Sequence, residues 1–274
     1  MGSGAAFPPE TLRALFDAVE INDVVDPELP LPDPVDLACP QERFRRCFDL
    51  ALQFWSEGAG PAEMARLVGV ALRHGDLSPE QRVRYKHIRA RCKQLRFALV
   101  LYGAAHKTPP LFRVTVAAMG HLQDGFRNGH RRAVLAHGTA LRVLLSRPVA
   151  ATVERGIRAT PLDSAEGFAA WRKAQIDKAR QTLRRDQLSG HEFHALRKIM
   201  SRENAFYGAS QVLYPGEQNH RMFRFLSAIN GMMGARHDEL VEQAISGEQA
   251  YQDPRALPDE IRRQLEMLLA RYPA

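Results

Sequence analysis

The chain has 274 residues, of which 45% are hydrophobic and 25% charged, so it is long enough to bury a sizeable core in one or two globular domains. No run approaches the ~18 apolar residues of a membrane span, and the N-terminal "MGSGAAFPPE" lacks the regions of a signal peptide. The three cysteines, Cys39, Cys47 and Cys92, form no C-x-x-C pair, which favours a reducing compartment. We therefore expect a cytoplasmic protein that does not enter membranes.

Charge is distributed unevenly along the chain. The net charge is +7, but residues 1–40 carry −7, which leaves +14 on residues 41–274. A basic body behind an acidic arm predicts an anionic partner. The alternative is a charged surface that only keeps the protein in solution.

The acidic arm, residues 1–40, should contain a short amphipathic helix over about 9–22. The stretch "VVDPELPLPDPVDLACP" follows, and its prolines predict an extended connector. One hypothesis is that the arm folds over the basic surface and competes with the anion. The alternative is that the arm packs its apolar stripe elsewhere, through Leu12, Leu15, Phe16 and Val19.

Beyond residue 40 the apolar residues recur with the period of an α-helix, as in "ERFRRCFDLALQFW". "SPEQ" at 78–81 and "SGHE" at 189–192 are typical of helix starts with a capping box. No comparable stretch alternates with period two. The sequence therefore predicts an all-α fold.

Two segments of the chain resemble each other at an offset of about 108 residues. In each, a basic helix (79–105 or 190–213) meets a proline break and is followed by an amphipathic helix and a glycine-containing turn. This offset is too long for a solenoid repeat and suits a duplicated helical bundle. We predict one domain over 41–252 with two pseudo-symmetric halves, 41–148 and 149–252, and a C-terminal helix over 253–274.

The basic helices carry the candidate binding residues. Positions three and four apart share one face of a helix, so the first helix presents a continuous row of cations. Its opposite face should be buried through Ile88, Cys92, Leu95, Leu99 and Tyr102. Closely spaced cations repel one another, and a partner with closely spaced negative charge would remove that penalty. The candidates are Arg82, Lys86, His87, Arg89, Lys93 and Arg96 on this helix; His191, His194, Arg197, Lys198 and Arg202 on the second; and Lys173, Arg180 and Arg184, flanked by Arg172 and Arg185, on the helix before it.

These segments resemble a known family. "KHIRARCKQLR" and "HALRKIMSR" are similar to the start of each half of a CHAD domain, the conserved histidine α-helical domain. "MMGARHDELV" resembles a later turn of that family, with Gly234 and Asp238 in matching places. The resemblance implies a two-fold pseudo-symmetric helical domain whose basic surface, a groove lined by both basic faces, binds inorganic polyphosphate without catalysis or a cofactor. The family's motif cations fall on Arg89, Lys93, Arg96, His194, Arg197 and Arg202, while Ser201 and Asn204 stand where cations are expected.

Several alternatives stay open. Nucleic acid is the second candidate polyanion, although Phe97, Tyr102, Phe206 and Tyr207 have the spacing of core residues rather than of base-stacking platforms. A protein-interaction scaffold would use the apolar run that contains Met222, Phe223, Phe225, Met232 and Met233.

A metal-dependent phosphohydrolase of the HD type would use His237-Asp238, and "HEFH" at 191–194 places two histidines one turn apart. Neither pattern fixes a complete ligand set. The sequence shows no G-x-S-x-G, Walker or G-x-G-x-x-G motif, so we expect neither a catalytic centre nor a metal site.

Overall fold

The structure is a computed structural model that describes residues 6–20, 31, 34–58 and 60–273. These residues form eleven helices and one two-stranded antiparallel sheet, so the all-α prediction is confirmed. Among them, no helix has the length and apolar character needed to cross a membrane. The elements are α1 (Pro9–Glu20), α2 (Gln41–Gly58), α3 (Pro61–His74), α4 (Pro79–Tyr102), α5 (Pro110–Arg127), α6 (Arg131–Leu144), α7 (Arg147–Arg158), α8 (Ala165–Leu183), β1 (Gln187–Leu188), α9 (Gly190–Leu213), α10 (Glu217–Ser246), β2 (Arg255–Ala256) and α11 (Asp259–Ala270).

The chain divides into two compact units. Of the described residues, those within 6–7 and 48–163 form unit 1, and those within 8–47 and 164–273 form unit 2. The division between residues 47 and 48 falls inside α2. The predicted halves, 41–148 and 149–252, overlap these units without coinciding with them. The internal duplication itself stays a prediction.

Unit 1 is built on the antiparallel hairpin of α5 and α6, against which α3 and α4 pack. The hairpin turns at Gly129, whose φ of 68° lies in the left-handed region that favours glycine. Gly138 on α6 brings that helix close to α3, because a Cβ atom there would lie 2.7 Å from a methyl carbon of Leu72. The end of α4 is joined to the segment after α7 by the imidazole of His106, which lies 2.9 Å from the Val100 carbonyl and 3.1 Å from the Asp163 carboxylate.

Unit 2 is centred on α9, which contacts α1, α8 and α10. The predicted N-terminal helix forms as α1, and it buries Leu12 and Leu15 of its apolar stripe, while Glu10 and Asp17 stay exposed. Residues 21–22 of the predicted helix, and residues 24–30 and 32–33 of the predicted connector, lie outside the described residues. From residue 34 the connector is non-helical, and its side chains alternate between exposed and buried up to residue 40.

A buried ion pair organises the core of unit 2. The Arg172 guanidinium is fully buried and donates to both carboxylate oxygens of Glu203, at 3.1 and 2.6 Å. Arg172 also donates to the Leu37 carbonyl at 3.3 Å, and the Tyr272 hydroxyl donates to Glu203 at 3.0 Å. Burial is the largest single influence and disfavours the charged guanidinium, but Glu203, Tyr207 and Tyr272 together outweigh it and hold the pKa of Arg172 well above its ordinary value. The pair therefore connects α8, α9, the connector and the segment after α11.

Candidate polyanion-binding site

The first basic helix, α4, is fixed by its N-terminus and by its buried stripe. The Ser78 hydroxyl accepts from the Gln81 amide at 3.3 Å, and the Gln81 side chain accepts from the Ser78 amide at 3.1 Å, which is the predicted capping box. The predicted core face is also confirmed, since all its members are buried: Ile88, Cys92, Leu95, Leu99 and Tyr102.

The cations of α4 differ in exposure. Lys86 is exposed, whereas Arg82, His87, Arg89, Lys93 and Arg96 are half-buried. Arg82 forms an ion pair with Asp76 in the turn before the helix. Lys93 and Arg96 lie over the ring of Phe97, at 5.6 and 5.5 Å from its centroid. Burial, together with the nearby charge of Arg89, lowers the pKa of Arg96.

Arg89 occupies a special position on this helix. Its Nη2 lies 3.1 Å from where a Cβ atom of Gly120 on α5 would be, so the guanidinium lies directly against a helix backbone. Its Nε is buried and has no hydrogen-bond partner among the described residues. One helical turn earlier, the Tyr85 hydroxyl donates to the Met119 carbonyl at 2.9 Å and holds α4 against α5.

Next to this contact, two imidazoles stack. His121 follows Gly120 on α5, and its ring centroid is 4.8 Å from that of His137 on α6. Partial burial, with a smaller contribution from His121, lowers the pKa of His137 below its ordinary value. The sequence analysis assigned no role to either histidine.

The second basic helix, α9, begins with an equivalent capping box. The Ser189 hydroxyl accepts from the Glu192 amide at 3.3 Å, and the Glu192 carboxylate accepts from the Ser189 amide at 2.9 Å. Of the candidates on this helix, His191 and Lys198 are exposed, and His194, Arg197 and Arg202 are half-buried.

Some of these candidates already have contacts within unit 2. Arg202 donates to the Gln175 side chain at 3.0 Å and lies over the Trp171 ring at 5.4 Å, which commits this cation to the contact between α8 and α9.

Arg197 repeats in unit 2 the packing that Arg89 has in unit 1. Its Nη2 lies 3.3 Å from the Cβ position of Gly234 on α10. The rings of His194 and His237 approach to 4.7 Å, and the Tyr251 hydroxyl is 3.1 Å from His237 Nε2. Burial, followed by the charge of Arg197, lowers the pKa of His237. A guanidinium against a glycine of the following helix is therefore present in each unit. The histidine pairs differ, because that of unit 2 joins α9 to α10 and includes His237, on which Arg197 acts, whereas that of unit 1 joins α5 to α6.

The candidates on α8 are largely engaged in internal contacts. Lys173 pairs with Asp177 at 2.9 Å. Arg180 donates to the same carboxylate at 3.0 Å and to the carbonyls of Leu269 and Tyr272 at the end of α11, at 2.9 and 2.8 Å. Arg184 is exposed. Arg172 was expected to flank this surface stripe, and that expectation is wrong because its side chain belongs to the core of unit 2.

The residues proposed for a phosphohydrolase do not assemble into a ligand set. His237 Nδ1 is 3.6 Å from the Asp238 carboxylate, which points to solvent with 81% of its side chain exposed, and His237 Nε2 is engaged with Tyr251. Over the described part of the chain, no three His, Cys, Asp or Glu side chains are grouped so that they could hold a metal ion.

Comparison with known proteins adds no information about the function of the chain. No family model, no curated protein and no solved structure matches the chain.

Proposed function

We propose that the protein is a non-catalytic, CHAD-like binding protein for inorganic polyphosphate with two phosphate-binding faces, that of α4 within unit 1 and that of α9 within unit 2. The observation that carries the proposal is the arginine packed against a glycine in each unit, Arg89 at Gly120 and Arg197 at Gly234. A guanidinium that lies against a helix backbone has little freedom, so less entropy is lost when it binds a phosphate oxygen.

The charge distribution supports a polyanion as ligand. Residues 41–274 carry a net +14, and α4 has no acidic residue between Arg82 and Tyr102. Electrostatic attraction of this kind draws in any phosphate polymer and weakens as salt is added.

Burial of the aromatic residues favours polyphosphate over nucleic acid. Phe97, Tyr102, Phe206 and Tyr207 all lie in the core, with no more than 7% of their surface exposed, so none of them offers a ring on which a base could stack. The apolar run considered for a protein partner is mostly core as well, since Met222, Phe223, Phe225 and Met233 are buried. A ligand with phosphates and without bases therefore fits these faces best.

The test is a titration of labelled long-chain polyphosphate, and separately of single-stranded DNA, at low and at physiological salt. The double variant Lys86→Gln/Arg89→Gln should weaken polyphosphate binding by about tenfold or more. The matched control is Arg127→Gln/Arg132→Gln, which removes the same charge from exposed positions on α5 and α6 and should change the affinity by less than about threefold. Circular dichroism establishes that both variants keep their helices.

Equal losses in the two double variants, or equal binding of both polymers that salt abolishes, would reduce the site to a general basic surface. No binding of either polymer would reject the proposal.

A further inference from the structure

Unit 1 contains a large cavity that has no part in the proposed polyphosphate site. Its volume is about 1110 Å³, and all six helices from α2 to α7 contribute residues to its lining. Small-molecule sites commonly have volumes of about 300–1,000 Å³, so this space would admit a ligand at least as large as a typical cofactor or lipid.

The interior of the cavity is apolar. The apolar lining includes two aromatic rings, those of Trp55 on α2 and Phe112 on α5, in edge-to-face contact at 6.1 Å. The buried Cys92 thiol also lines the cavity, and burial raises its pKa to about 12, so it behaves there as an uncharged apolar group. The other main apolar lining residues are Met64, Met119, Leu144 and Leu145.

The rim of the cavity is cationic. Four exposed arginines line it, two from α3 and two from the end of α6 and the start of α7, and over the residues that the structure describes their guanidinium groups have no hydrogen bond or ion pair: Arg66, Arg73, Arg142 and Arg147. The single carboxylate in the lining, Glu154, is already paired with Arg158 at 2.9 Å. The Ser146 hydroxyl at the start of α7 makes no capping hydrogen bond and is a further donor at the rim.

We infer that this cavity binds an amphipathic anion, a molecule with a long apolar chain and a carboxylate or phosphate head group. The apolar interior removes the chain from water, and the rim arginines complement the charge of the head group, which one or two guanidinium groups can bind through paired hydrogen bonds. An inorganic polyphosphate has no apolar part and a plain hydrocarbon has no charge, so neither uses both features of the cavity.

The experiment uses the full chain and three single-chain amphiphiles of equal length below their micellar concentrations: dodecanoate, dodecyl phosphate and dodecylammonium. Binding is followed by calorimetry and by the fluorescence of Trp55 in a Trp171→Phe background, because the chain has two tryptophans. We expect both anions to bind and the ammonium compound to bind at least tenfold more weakly. Comparing the two anions distinguishes a carboxylate site from a phosphate site.

Two variants separate the rim from the interior. Arg73→Gln/Arg142→Gln should weaken binding of the anions by about tenfold or more and should strengthen binding of the ammonium compound, because two repelling charges are removed. Ala65→Phe, which projects a ring from α3 into the cavity, should weaken binding of all three compounds. Arg127→Gln/Arg132→Gln serves again as the charge-matched control and should leave anion binding unchanged.

Equal binding of the anionic and cationic amphiphiles would overturn the inference, because the rim would then contribute nothing. Undiminished anion binding in Ala65→Phe would also overturn it, because the ligand would then lie elsewhere. The polyphosphate titration tests a different set of residues, so either proposal can fail without the other. Lys86→Gln/Arg89→Gln should leave binding of dodecanoate unchanged.

Discussion

Helix α4 of unit 1 and helix α9 of unit 2 have the same length, N-terminal cap and arginine–glycine contact, but they differ in the polar residues along one face. Both have 24 residues, a serine capping box and an arginine against a glycine of the next helix. At an offset of roughly 108 residues, Lys93 and Arg96 of α4 align with Ser201 and Asn204 of α9.

These aligned positions lie in different environments. Ser201 and Asn204 are 6% and 2% exposed, and the Ser201 hydroxyl donates to Asn230 on α10 at 2.5 Å. Lys93 and Arg96 are half-buried, so they are more accessible to solvent than their counterparts on α9. Two copies of one helical pattern can therefore diverge, with one presenting cations and the other burying neutral polar groups. If polyphosphate binds, we expect α4 to contribute more than α9.

The largest expected effect is a loss of stability when the buried Arg172–Glu203 pair of unit 2 is broken. Glu203→Gln removes the carboxylate that compensates the fully buried Arg172, and the uncompensated charge should cost about 3–5 kcal/mol of unfolding free energy. The measurement is urea unfolding followed by circular dichroism. The matched control is Glu154→Gln, which removes the partner of the exposed Arg158 in unit 1 and should cost less than about 1 kcal/mol. Similar losses in the two variants would contradict the burial of the Arg172–Glu203 pair.

The next effect sharpens the comparison of the binding faces. Lys86→Gln/Arg89→Gln on α4 should reduce polyphosphate affinity by about tenfold or more, and His194→Gln/Arg197→Gln on α9 by about threefold, because α9 lacks the cations that continue the row on α4. The same titration at several salt concentrations should give a shallower salt dependence for the α4 variant. A larger loss from the α9 variant would reverse the assignment of the main binding face.

A smaller effect tests the arginine–glycine contacts. Gly120→Ala and Gly234→Ala each place a methyl group about where the guanidinium now packs, at 3.1 and 3.3 Å, so the arginine tip must move. Alanine also favours a helix by about 1 kcal/mol over glycine, so we expect no fall in melting temperature but a few-fold weaker polyphosphate binding. Gly69→Ala on α3 is the control, because its new methyl group would have only ordinary contacts. Unchanged polyphosphate binding in Gly120→Ala would contradict the proposal that packing against Gly120 positions Arg89 for the phosphate.

The smallest effect is a dependence of stability on pH. The pKa values of His137 and His237 are both lowered in the folded state, so the unfolded chain takes up protons more readily. Stability should therefore be fully present above the ordinary histidine pKa of about 6.5 and should decrease as the pH falls below it.

Around His237 the relevant groups are Arg197 and Lys198, which lower its pKa together with burial, and Asp238, which raises it. Melting temperatures between pH 7.5 and 5.5 check the effect, and His237→Gln should make the profile flatter. A wild-type melting temperature that rises on acidification would contradict the direction of the shifts.

The sequence was sufficient for the fold class, because helix periodicity and capping boxes are local signals. The starts of α4 and α9 and the buried stripe of α4 follow directly from residues three and four apart. Residues on the surface stripe were harder to place, because their environment depends on other helices. Arg172 has the same spacing as a surface cation, and only its contact with Glu203, 31 positions away, shows that it lies in the core.

The cavity of unit 1 gave no signal in the sequence. Arg66 and Arg147 lie far apart in the chain and belong to segments with no unusual charge pattern. Gly120 is likewise an ordinary glycine inside an amphipathic helix until the facing Arg89 is seen, and Gly234 was marked only by the family resemblance, which did not show that it faces Arg197. Such sites depend on which helices meet, and periodicity along one helix does not contain that information.

The order of residues in unit 2 has a consequence for how the chain is made. Residues 48–163 of unit 1 are contiguous and leave the ribosome complete, whereas unit 2 combines residues 8–47 with residues 164–274. The Tyr272 hydroxyl, which donates to Glu203, and the carbonyls that accept from Arg180 are synthesised after helices α1, α8, α9 and α10 of unit 2. Because domains generally fold as units during synthesis, unit 1 should reach its native packing before the helices of residues 164–274, on which residues 8–47 pack, have been synthesised. A nascent chain stopped before α11 would thus expose the faces of α8 and α10 that pack against α11, which makes that stage of translation the one at which a chaperone has the most apolar surface to bind.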